Sequence, residues 1–316
     1  MRKWLFSILG LILLVVFIIP IVVEQIGPSQ ERNLVGVSLG TLEYTPVSFR
    51  NEEQDLNLAG LLFKPEGEGP FPGVVIIHGS GTSSRENPWY LTLSGYLQEH
   101  GVVVLLPDKR GSVGSSGDWQ TSSFEDLATD TIAALEYLRE QAFVETSRIG
   151  IVGMSQGGQI APIVAAKSDH VDFVVNVVGS SLPLYDVLQY EETNNLREVG
   201  LLPGVSDLIA YPSTFVLREF SQKAFWEVVG DFDPVPYWQE VKIPALALYG
   251  SEDTNVPSEA SKQRLEALEK QNIEVLIFEG SGHALEDPPG RGNSFFREDA
   301  LSEIEAFIKG PMWSEG

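Results

Sequence analysis

The chain has 316 residues, 43% of them hydrophobic and 10% aromatic, enough to bury a sizeable core, so disorder is excluded and one large α/β domain or two ordinary ones fit the length. Against 44 acidic residues stand 21 basic ones, a formal charge of −23 whose field repels polyanions and makes nucleic acid a poor partner. Without cysteine the chain holds no disulfide, no thiolate nucleophile and no cysteine-ligated metal centre, a pattern that fits an oxidising exterior.

The N-terminus opens with Arg2 and Lys3, and from Trp4 to Val23 carries no charge. Twenty residues at ~1.5 Å each give a helix of about 30 Å, the thickness of a bilayer's hydrocarbon core. Basic residues before the run and Glu24 and Glu31 after it predict an N-terminus in the cytoplasm and the rest of the chain outside. A cleaved secretory signal is the alternative, giving a secreted protein, but its apolar stretch is normally shorter and ends in a small-x-small site. Residues 1–25 are therefore read as a membrane anchor or signal peptide, 26–44 as a tether, and 45–312 as the folded domain.

Beyond the tether, short apolar runs alternate with helical patterns. The runs are VSF near Val47, LNLAGLLF at 56–63, GVVIIH at 73–78, VVVLLP at 102–107, RIGIVGM at 148–154, FVVNVV at 173–178, ALALY at 245–249 and VLIF at 275–278. The middle ones are continuously apolar, as expected of parallel strands covered on both faces. Eight such strands with helices between them imply a doubly wound α/β sheet. Helices are expected over Pro88–Glu99, Gln156–Lys167, Ser258–Lys270 and Glu298–Lys309, and after Ser122, whose spacing to Glu125 matches a capping box. From Pro183 to Glu240 no parallel strand is legible. That segment is helix-compatible and rich in aromatics such as Tyr185, Tyr190, Tyr211, Phe215 and Trp226, and it predicts a helical cap over the sheet.

The chemistry concentrates at GIVGMSQGGQI, residues 150–160, where Gly153-Met154-Ser155-Gln156-Gly157 forms a G-x-S-x-G between a strand and a helix. A serine on so sharp a turn needs small neighbours for the chain to pass. Serine at its ordinary pKa is a weak nucleophile, so a base must reach it and a third group must orient that base. Of four histidines, His78, His100 and His170 sit at a strand end, beside a helix-stopping glycine and in a polar loop. His283, in the glycine-flanked loop GSGHAL after the last strand, is the expected general base. The orienting acid is expected at Asp253, in SEDTNVP after ALALYG; a plain turn aspartate is the alternative. Ser155, Asp253 and His283 follow one another in the order α/β hydrolases use.

These residues, with VVIIHGSG, LLPDKRGSVGSSG, GMSQGG, DPVPYWQEVKIPALALYGSEDTNVP and GSGHAL, give the chain a resemblance spanning about residues 45–310. It resembles serine hydrolases of the α/β-hydrolase fold, in particular bacterial esterases related to the prolyl-oligopeptidase and serine-aminopeptidase groups. The resemblance implies an eight-stranded, mostly parallel sheet flanked by helices, with the helical cap inserted at about 183–240. It also implies an oxyanion hole built from the backbone N–H groups of Gln156 and Ser80, with Gly81 as the alternative to Ser80. Asp108 and Arg110, in the DKRG turn, are expected to form a structural ion pair. After HGSG the sequence TSSRENPWY departs from close relatives, so the substrate edge near Arg85–Trp89 is expected to differ.

The expected activity is hydrolysis of a small acyl ester, a carboxylesterase reaction through an acyl-enzyme on Ser155, with no cofactor and no metal. Peptidase, thioesterase or acyltransferase activity on the same three residues is one alternative; a membrane-tethered binding protein that lost activity is another. Neither glycine-rich turn matches a nucleotide loop, since G-x-G-x-x-G and G-x-x-x-x-G-K-[ST] are both absent.

Overall fold

The computed structural model describes residues 33–82 and 84–310. The expected anchor, residues 4–23, lies outside the described residues. Among the described residues no helix is long and apolar enough to cross a membrane.

All eight expected strands form: β1 (Thr45–Asn51), β2 (Leu56–Phe63), β3 (Phe71–Ile77), β4 (Val103–Pro107), β5 (Val144–Met154), β6 (Phe173–Val177), β7 (Ala245–Gly250) and β8 (Ile273–Phe278). They make one sheet in the order β1-β2-β4-β3-β5-β6-β7-β8. Only β2 runs against its neighbours, pairing antiparallel with β1 and β4, and every other pair is parallel. The continuous apolar runs are explained by two cores. One face of the sheet packs on α2 (Phe124–Arg139), α3 (Gln156–Lys167) and part of α8 (Ser258–Glu266) through Ile149, Ile151, Leu135, Ile163 and Leu265. The other packs on α1 (Pro88–Glu99) and α9 (Glu298–Lys309) through Val74, Ile76, Leu93, Leu97 and Ile304.

The segment after β6 is helical, as its composition suggested: α4 (Leu184–Glu198), α5 (Pro203–Val216), α6 (Lys223–Val229) and α7 (Val235–Glu240), with a π-turn at Leu217–Ser221. It stands on the carboxyl edge of the sheet. The Tyr190 hydroxyl donates to the Asp253 carbonyl at 2.8 Å and the Asn194 amide to the Thr254 carbonyl at 2.9 Å.

Two expectations are corrected. The cap of α2 lies one residue later: Ser123 and Asp126 exchange the capping bonds, while Ser122 accepts from Arg110 and Glu125 from the Tyr237 hydroxyl. Helix α8 stops at Glu266 rather than Lys270, because Glu269 takes a left-handed backbone conformation (φ 53°) in the turn entering β8. Within the expected tether, residues 33–44 pack on the domain: Val35 bridges to Ser294, Val37 N–H donates to Thr92 Oγ1 and Leu42 packs into the second core.

Candidate active site

Ser155 sits between β5 and α3 with φ 53° and ψ −119°, a conformation that costs non-glycine residues ~1–3 kcal/mol. The turn is held on both sides. Ser155 N–H donates to the Val177 carbonyl at 2.9 Å, and Gly158 N–H donates to the Ser155 carbonyl at 2.8 Å. The flanking glycines are a steric requirement. A Cβ on Gly153 would lie 2.3 Å from the Gly157 carbonyl oxygen, one on Gly157 2.1 Å from that of Ile77, and one on Gly158 2.0 Å from Asn176 Oδ1.

The structure brings Ser155, His283 and Asp253 into one hydrogen-bonded line. His283 Nε2 lies 3.0 Å from Ser155 Oγ, and His283 Nδ1 lies 2.8 Å from Asp253 Oδ2. Asp253 is buried at 2% exposure, and its other oxygen accepts from the N–H groups of Asn255 (2.8 Å) and Val256 (2.9 Å). With Oδ1 so occupied, Oδ2 is left to hold the imidazole. The turn role weighed for this residue and the orienting position are thus served by one side chain.

Electrostatics at His283 are set by opposing effects. Burial pulls the imidazole down, but the charge and hydrogen bond of Asp253, with Glu191 and Glu286 beyond, raise it above the ordinary histidine value. Glu191, on α4, is itself pushed up, chiefly by burial, while it accepts a hydrogen bond from Asn255 at 3.0 Å. The Trp89 ring lies 5.7 Å from the His283 ring, and its N–H donates to the Ala284 carbonyl at 3.2 Å, fixing the histidine loop from the side of α1. Tyr90 next to it accepts Gly79 N–H at 2.9 Å.

Ser80 and Gly81 lie in the loop after β3, facing the start of α3. Sequence reading missed what holds that loop. Lys109, 8% exposed, donates to the carbonyls of Gly79 (2.6 Å) and Gly81 (3.1 Å) and to Gln156 Oε1 (3.3 Å), and its ammonium lies 5.0 Å from the Trp119 ring centroid. In a trans peptide the C=O and the following N–H point in opposite directions. Lys109 on the Gly79 oxygen therefore turns Ser80 N–H away from the lysine. Burial lowers the Lys109 pKa to about 7.

The remaining expected residues take structural places. His78, lowered to about 4 by burial and by Lys109, has Nε2 2.6 Å from the Pro107 carbonyl. His100 stacks on Tyr96, and His170 pairs with Glu136. The expected Asp108–Arg110 pair does not form. Asp108 accepts two bonds from Arg85, at 2.9 and 2.7 Å, whereas Arg110 turns to Asp130 at 2.6 Å. Both lie in the turn after β4, where Asp108 meets Arg85 in the segment before α1 and Arg110 meets Asp130 on α2. Among the described residues no cluster of three or more histidine or acidic side chains is placed to hold a metal ion.

Comparison with known proteins finds relatives in sequence and in fold. The model of the prolyl oligopeptidase family matches residues 89–310. Esterase EstD of Thermotoga maritima is 27% identical over 265 residues, covering 78% of this chain and 62% of that protein. The acylamino-acid-releasing enzyme of Rattus norvegicus is 26% identical over 263 residues, 76% of this chain and 33% of the relative. The chain thus spans about three fifths of one relative and a third of the other. A Pyrococcus furiosus esterase superposes with a TM-score of 0.62 at 22% identity, covering 89% of this chain and 97% of that one, a likeness of fold.

Proposed function

The chain belongs to the prolyl oligopeptidase family, and on that premise we propose that it is a serine hydrolase acting on carboxylic esters. The observation that carries the reading is the hydrogen-bonded line Ser155–His283–Asp253 on a strained strand-to-helix turn. In this reading Ser155 Oγ attacks the acyl carbonyl carbon while His283 Nε2 takes its proton. The oxyanion is met by the N–H groups of Gln156 and Ser80, with Gly81 as the alternative donor in the same loop. Collapse breaks the ester C–O bond, and the alcohol leaves with the proton from His283. Water then repeats the cycle on the acyl-enzyme, with Asp253 steadying the imidazolium in both halves. The inward-facing side chains of the 183–240 helices form a cap that sets acyl and leaving-group preference.

The name of the Thermotoga maritima relative favours esters, and that of the Rattus norvegicus relative favours removal of acylated amino acids. A panel of p-nitrophenyl esters, acyl thioesters and N-acyl-aminoacyl p-nitroanilides separates the readings. Esters turned over at least about tenfold faster than the rest, with Ser155→Ala inactive, is the expected result. Turnover by Ser155→Ala at the parent rate would remove the assignment. We further propose that residues 4–23 anchor the chain in a membrane, with the catalytic domain on the extracytoplasmic side; the support is the length of the uncharged run and the charges flanking it.

A further inference from the structure

Helix α5 is built inside out. Its buried face carries the hydroxyls of Ser206, Ser213 and Thr214 beside Ile209, Ala210 and Val216. Its solvent face carries Val205, Leu208, Tyr211 and Phe215, exposed at 43%, 74%, 65% and 47%. At ~100° per residue these four fall within one sector of about 120°. A water-facing helix normally shows the reverse pattern. Among the described residues ten large apolar side chains are exposed, and seven lie between Leu202 and Val228, so the anomaly belongs to this one part of the surface.

We infer that the outward face of α5 rests on a lipid bilayer, the one holding residues 4–23, so that the site draws its acyl ester from the lipid phase. This rests on the anchor and hydrolase readings proposed above. Three observations favour a bilayer over other occupants. The first described residues enter beside the histidine loop, where Val35 N–H donates to the Asn293 carbonyl and Phe295 N–H to that of Val35. The insertion stands on that same carboxyl edge, through Tyr190 and Asn194. Second, between Val23 and Asn33 an extended chain reaches at most ~3.3–3.6 Å per residue, about 35 Å in all, so the edge bearing α5 is kept near the membrane. Third, a net charge of −23 repels a second copy of this chain, whereas a zwitterionic lipid surface carries no such penalty. Aromatic and aliphatic side chains on one helix face are also the composition that seats in a headgroup boundary.

The chain has no cysteine, so a single one can be placed and labelled. Leu208→Cys, and as control Glu66→Cys on the opposite edge before β3, are made in the full chain, coupled to a nitrobenzoxadiazole dye and reconstituted in phosphatidylcholine vesicles. Doxyl-labelled lipids should quench the dye at position 208 at least about threefold more than at 66. Equal quenching at both positions overturns the proposal. So does a dye at 208 that lipid quenchers do not reach but that self-quenches between copies, which would make a second copy the occupant. Flotation of the unlabelled chain with vesicles tests the anchor separately.

The functional arm uses Leu208→Ser combined with Phe215→Ser. Hydrolysis of a vesicle-borne long-chain nitrophenyl ester should fall about five- to tenfold while that of soluble nitrophenyl acetate stays at the parent rate. An equal fall on both esters, or none on either, contradicts lipid-phase delivery. If the parent hydrolyses neither ester, the hydrolase reading fails while the quenching result stands on its own.

Discussion

Replacing Lys109 by methionine keeps the aliphatic stem and removes the ammonium that holds the 79–81 loop. Two carbonyls and one side-chain oxygen lose their donor. A hydrogen bond from a charged group is worth ~1.5–3 kcal/mol, so the loop loses that much bias toward the conformation in which, on the reading proposed above, Ser80 N–H meets the oxyanion. The ceiling is complete loss of one oxyanion donor, about a hundred- to thousandfold in rate. Gln156 N–H stays in place at the start of α3, so a fall of roughly ten- to a hundredfold in kcat with KM within about twofold is expected. The same factor should appear in the affinity for a trifluoromethyl ketone, whose hemiketal presents the oxyanion, and not in the affinity for the carboxylic acid product. The pH profile adds a second signature. Burial brings Lys109 to about 7, so its ammonium is present below that pH and is lost as pH rises through it, adding an alkaline decline that Lys109→Met lacks. A variant with parent kcat, or one in which ketone and product affinities fall together, would refute the positioning argument; the thermal melt separates either from unfolding.

Asp253→Asn should cost about ten-thousandfold in kcat while leaving the melt close to the parent's, since Oδ1 can still accept from Asn255 and Val256. Activity should fall in acid at a pH above the ordinary histidine value, because His283 must be neutral to take the serine proton and its pKa is raised. If the acid limb instead lies below that value, the carboxylates around His283 do not act as described. Gly157→Ala places a methyl 2.1 Å from the Ile77 backbone oxygen, and circular dichroism should show a variant that melts well below the parent or fails to fold.

The parts legible in the sequence were those with local causes. Continuous apolar runs marked the strands because the sheet is covered on both faces, and the G-x-S-x-G turn was visible because backbone crowding dictates its glycines. Asp253 and His283 follow β7 and β8 at the sheet's carboxyl edge, so chain order alone placed them. Lys109 was passed over because its partners lie 28 to 47 residues away, and nothing local distinguishes it from a surface lysine. Glu191 was hidden for the same reason, being 64 residues from Asn255. At α2 two capping spacings, Ser122–Glu125 and Ser123–Asp126, overlap. Arg110 and Tyr237, distant in sequence, take up the first pair and leave the second to cap. Asp108 and Arg110 do not pair as expected because Arg85 and Asp130, 23 and 20 residues away in the chain, are brought to them by the fold.

The most direct test of the central claim is the site of covalent attack. A fluorophosphonate probe applied to the full chain at neutral pH, followed by peptide mass spectrometry, should place one adduct on Ser155, with labelling lost in Ser155→Ala and slowed in His283→Ala. An adduct on another residue, or none on a folded chain, would contradict the assignment of Ser155 as the nucleophile.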